Sequence, residues 1–102
     1  MDTIYLVNYK SEDLYDQKGT EHYCKTMSIA EQKLKELEKR KETVKKLFYF
    51  ETGVDYDYLV SKIRGIKPIK EDEADAFQAL FKYESKHKEL VREYTIVELN
   101  LN

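Results

Sequence analysis

SIAEQKLKELEKRKETVKK, Ser28 to Lys46, is the longest run in the chain with a clean helical period. Ala30, Leu34, Leu37, Val44 and Phe48 follow a 4-3-7-4 spacing that keeps them on one stripe, with Lys41 in the missing position. Ser28 is placed to cap the helix, and Glu31 to reach back to the cap in a capping box. Glu31–Lys35, Glu36–Arg40 and Glu42–Lys46 are i,i+4 pairs in the favourable order, each contributing roughly 0.2–0.5 kcal/mol. The stripe is narrow and nearly heptad, but it is too short for a sustained coiled coil and has a Lys in its seam. A helix lying on a sheet is therefore expected. Pairing across a homodimer is the other use such a stripe has.

The flanking segments supply that sheet. Thr3–Tyr9, TIYLVNY, is β-branched and aromatic nearly throughout and predicts a strand. Ser11–Thr20 is a polar connection with a turn at Lys18-Gly19. Glu21–Met27 predicts a second strand, with His22, Cys24 and Thr26 on one side and Tyr23, Lys25 and Met27 on the other. Leu47–Thr52, LFYFET, reads as a third strand by its Tyr and Phe density, with helix extension as the alternative. A short helix begins at Asp55 or Asp57 and stops at Gly65, with Tyr56, Leu59, Val60 and Ile63 inward.

Glu71 to Arg92 predicts a second long helix, acidic at its start and basic at its end as the helix dipole favours, with Glu84 interrupting its apolar face. Tyr94–Leu101 predicts a final strand. It alternates Thr95, Val97, Leu99 and Leu101 against a more polar set, Tyr94, Ile96, Glu98 and Asn100. The expected architecture is a single α+β domain over residues 1–102. Its sheet has three or four mainly antiparallel strands with two long helices and one short helix packed on it, in the order β-β-α-β-α-α-β.

Composition narrows the function classes. The net charge is −2 and the pI about 5.7, which argues against non-specific nucleic-acid binding through excess Lys and Arg. A single Cys forms no internal disulfide and suits a reducing, cytoplasmic setting. The first residues carry a strand pattern rather than a leader, and no apolar run approaches the ~18 residues of a membrane span.

No catalytic residue, cofactor site or metal site is expected. His22 and Cys24 share a strand face, but zinc needs three or four ligands and the only other imidazole is His87. Cys24 lacks the glycine-rich oxyanion turn that nucleophilic catalysis would want, and Gly19, Gly53 and Gly65 are too dispersed for a phosphate cradle. The Lys and Arg of the first helix are interleaved with Glu, the pattern of a solvated face.

Three acidic clusters remain: Glu12, Asp13, Tyr15 and Asp16; Glu51, Asp55, Tyr56, Asp57 and Tyr58; and Glu71, Asp72, Glu73 and Asp75. Carboxylates beside tyrosines suit a basic protein groove, with the rings packing on guanidinium stems. Glu12, Asp13, Tyr15, Asp16, Asp55, Tyr56, Asp57 and Tyr58 are the expected partner-binding residues.

Over roughly the first fifty residues, Ile4-Tyr5-Leu6-Val7-Asn8-Tyr9, the Lys18-Gly19 turn, and Ser28 followed by Ala30-Glu31 and Leu34-x-x-Leu37 resemble small phage and mobile-element proteins of low-GC Gram-positive bacteria. That group includes anti-CRISPR inhibitors of Cas9. The resemblance implies a non-enzymatic inhibitor that binds a host defence nuclease in the bacterial cytoplasm and blocks its engagement of nucleic acid. The group has no shared catalytic motif, so no residue role follows from it. The alternative is a small nucleic-acid-binding regulator using Lys35, Lys39 and Arg40 of the first helix.

Overall fold

The computed structural model describes residues 2–11 and 17–101, and it is an α+β protein. The elements in chain order are β1 (Asp2–Ser11), β2 (Lys18–Cys24), α1 (Met27–Thr52), α2 (Tyr56–Arg64), α3 (Ala74–Lys86) and β3 (Arg92–Leu101), with 3-10 turns at Glu71–Glu73 and Lys88–Val91. The chain divides into two compact units. One comprises Met1–Arg40 with Val91–Asn102, and the other Lys41–Leu90.

In the first unit the strands form one antiparallel sheet of order β2-β1-β3. The β1–β3 ladder runs from Asp2 opposite Leu101 to Ser11 opposite Arg92. The β1–β2 ladder slips between Val7 and Asn8, leaving Glu21 as the bulged residue. Lys18 and Gly19 are part of β2, paired with Lys10 and Tyr9, and are not the expected turn. A Cβ at Gly19 would lie 2.7 Å from the Tyr9 hydroxyl, so a larger residue there requires the Tyr9 ring to move. The Tyr9 ring in turn carries the Arg92 guanidinium at 3.9 Å, and Arg92 reaches the Glu21 carboxylate at 3.1 Å.

The first half of α1 covers one face of this sheet. Ala30 and Leu37 are buried with Val7, Cys24 and Tyr94, and Tyr5, Tyr9, Leu34 and Ile96 close the edges of that cluster. Thr26 caps the helix in place of Ser28: its hydroxyl accepts from Ile29 N–H at 3.2 Å, and its carbonyl accepts from Ala30 N–H at 3.1 Å. Ser28 and Glu31 consequently lie inside the helix and form no capping box.

Leu47–Thr52 is the end of α1, which corrects the expected strand. Its apolar residues continue the helical stripe, since Val44 and Phe48 are buried whereas Leu47, Tyr49 and Phe50 are exposed. Gly53, at φ +74°, ends the helix by donating to the Tyr49 carbonyl at 2.7 Å. The core of the second unit gathers on that stripe: Val44 and Phe48 with Tyr56, Leu59, Ala76, Leu80 and Leu90. Phe48 meets the Tyr56 and Tyr83 rings edge-on at 5.7 and 5.2 Å. The buried side chains of α2 and α3 thus share a core with the second half of α1.

The expected second long helix is broken into pieces. A 3-10 turn at Glu71–Glu73 precedes α3, which stops at Lys86, and a second 3-10 turn then leads into β3. Glu84 interrupts the apolar face for a reason: it is half-buried and accepts a hydrogen bond from the Tyr56 hydroxyl at 2.8 Å.

Candidate functional site

The residues around Asp55 are set by the start of α2. Asp55 is the N-cap, its carboxylate accepting from Tyr58 N–H at 3.0 Å. Capping fixes Asp55 at the surface and sends the next three side chains in different directions. Tyr56 points inward and is only 4% exposed, so it is a core residue and is removed from the expected contact surface. Burial first, and then the hydrogen bond to Glu84, push its phenol above the usual tyrosine range. Asp57 stays exposed and pairs with Lys45 at 3.1 Å. Tyr58 keeps 44% of its surface in solvent, with the Lys62 ammonium 5.0 Å from its ring centre.

Lys62 and Glu73 form the fixed floor beneath Tyr58. They meet at 2.6 Å, both nearly buried, and Lys70 N–H adds a second bond to the same carboxylate oxygen at 3.0 Å. The hydrogen bond from Lys62, followed by the one from Lys70, holds Glu73 down at about 2. The same contact raises Lys62 above its usual range. Glu73 therefore stays ionised throughout the physiological range.

Two of the acidic clusters meet here. An open hollow of about 470 Å³ is lined by Thr52, Gly53, Val54, Asp55, Tyr58, Asp72 and Glu73. Asp55 also borders a second hollow of about 310 Å³, with Glu42, Lys45, Lys46, Tyr49 and Asp57. Asp55, Asp57 and Tyr58 thus join Asp72 and Glu73 on adjoining concavities of the second unit. Tyr49 and Lys45 belong to the same surface; Tyr49 was hidden because residues 47–52 read as strand, and Lys45 because it read as one of the interleaved charges of a solvated helix face. Glu12, Asp13, Tyr15 and Asp16 lie outside the described residues.

The arrangement offers carboxylates and an exposed phenol ring at open hollows, a set of acceptors that suits cationic side chains. Among the described residues, no group of three or more His, Cys, Asp or Glu is arranged to hold a metal ion, and no helix is long and apolar enough to cross a membrane. Cys24 is buried in the sheet core, with His22 half-buried on the neighbouring part of β2. Comparison with protein-family models, with curated proteins and with solved structures gave no match.

Proposed function

We propose that this chain is a non-enzymatic, phage-type inhibitor that binds a bacterial defence nuclease of the Cas9 type and blocks its engagement of nucleic acid. The supporting observation is the convergence of Asp55, Asp72 and Glu73 around a hollow walled by the exposed Tyr58 ring, with Asp57 beside it. Nucleases of this type hold the guide–target duplex in a positively charged channel. A surface with carboxylates at its rim and an aromatic wall competes for the same lysines and arginines, the Tyr ring stacking on guanidinium planes. Glu73 is held by Lys62 and by Lys70 N–H, so the carboxylates left to meet a cationic partner are Asp55, Asp57 and Asp72.

The reading is tested by adding the purified chain to a Cas9-type nuclease before and after target DNA. Inhibition of cleavage that is strong on pre-incubation and weak once the DNA is bound is the expected result. Undiminished cleavage at every order of addition rejects the reading.

A further inference from the structure

The sheet of the first unit is turned the unexpected way round. On β3 the more polar set, Tyr94, Ile96, Glu98 and Asn100, faces α1, with Tyr94 and Ile96 in the core cluster. The wholly uncharged set, Thr95, Val97, Leu99 and Leu101, faces away. Val97, Leu99 and Leu101 are 41%, 42% and 48% exposed. The ladders place Leu6 opposite Val97, Ile4 opposite Leu99 and Tyr23 opposite Leu6, so Ile4, Leu6 and Tyr23 share this outer face. Tyr23 is 75% exposed.

We infer that this outer sheet face is a homodimer interface, covered by the same face of a second copy. The six side chains together expose on the order of 500 Å² per chain, within the size range of a monomer's largest apolar patch, which is often functional. Two such faces together bury about 1,000 Å², which reaches the lower bound for a specific interface. None of the six carries a charge, and Asp2, opposite Leu101, adds one carboxylate only at the end of the ladder, so the patch gives a charge-selected partner little to read. Its own copy is complementary in shape: twisted antiparallel sheets stack with side chains interdigitating, as in a β-sandwich. The neighbouring rim has both signs, with exposed Lys10 opposite exposed Glu93 across the β1–β3 ladder, so the rim sets up no net like-charge repulsion against a second copy. This interface is independent of the acidic surface on the second unit and stands or falls separately from the proposed inhibition.

Sedimentation equilibrium of the full chain, from micromolar to millimolar concentration, tests the inference. The expected result is a monomer–dimer equilibrium that is insensitive to salt. Val97→Lys and Leu101→Lys should each weaken it at least about tenfold, with unchanged circular dichroism. Leu101 ends β3, so its substitution leaves folding intact even if Val97→Lys does not. Phe50→Lys, at an exposed site on α1, should leave association unaltered. A monomer across the whole range, a dimer that dissolves in salt, or a dimer indifferent to Val97→Lys and Leu101→Lys overturns the inference, whatever else the patch then binds.

Discussion

Ile66 shows how a single backbone angle can oppose its side chain. The end of α2 is closed by Gly65 N–H donating to Ser61 O and Lys67 N–H donating to Lys62 O, and this forces Ile66 to φ +52°. A β-branched residue in the left-handed region is costly, and here the side chain is also 93% exposed and recovers little by packing. Glycine stands one position too early to relieve it. Ile66→Gly should therefore raise stability by about 1 kcal/mol, read as a higher midpoint in urea at unchanged slope.

Glu73 gives a prediction at the same scale. Its folded pKa, about 2, lies below the ordinary 4.5, so the unfolded chain binds the extra proton. The stability it contributes is complete above about pH 4.5 and is lost as pH falls toward 2. Glu73→Gln should flatten the acid limb of a melting-temperature profile in that window while lowering stability at neutral pH.

At the scale of elements, α1 tests the account most sharply. Capping by Thr26 rather than Ser28 predicts that Thr26→Ala costs about 1 kcal/mol, whereas Ser28→Ala changes stability by only a few tenths. Phe48 has no exposed surface and two edge-on aromatic neighbours, so Phe48→Ala should cost about 3–5 kcal/mol in chemical denaturation.

The same helix shows what was legible in the chain. Ala30, Leu37, Val44 and Phe48 have a period that only a helix satisfies, and the first and last strands in the chain, β1 and β3, announced themselves by β-branched and aromatic content. Leu47–Thr52 misled because aromatic density favours strand locally, while the helix ladder entering from residue 46 needs no new nucleus to continue. The split of residues 71–92 was hidden for the converse reason. Charges at both ends fit a helix dipole, and nothing in the pattern marks the break at His87. On β3 the alternation was legible, but which set faces α1 depends on a one-residue register that only the fold sets.

For the molecule as a whole, the proposed function rests on its exterior. The acidic surface was half readable. Asp55, Asp57 and Tyr58 are where the sequence put them, on the surface at the start of α2, and Asp72 with Glu73 joins them through packing that no local pattern encodes. Tyr56 was read both as an inward residue of the short helix and as a contact residue, and its burial supports the first reading.

The central claim is tested most directly by isothermal titration of the chain into a Cas9-type nuclease, comparing wild type with Asp72→Lys and Tyr58→Ala, two exposed changes expected to leave the melting temperature within a few degrees. The account predicts binding by the wild type that weakens with salt and falls about 10- to 100-fold in each variant. Absence of wild-type binding, or affinities in the variants equal to that of the wild type, would contradict it.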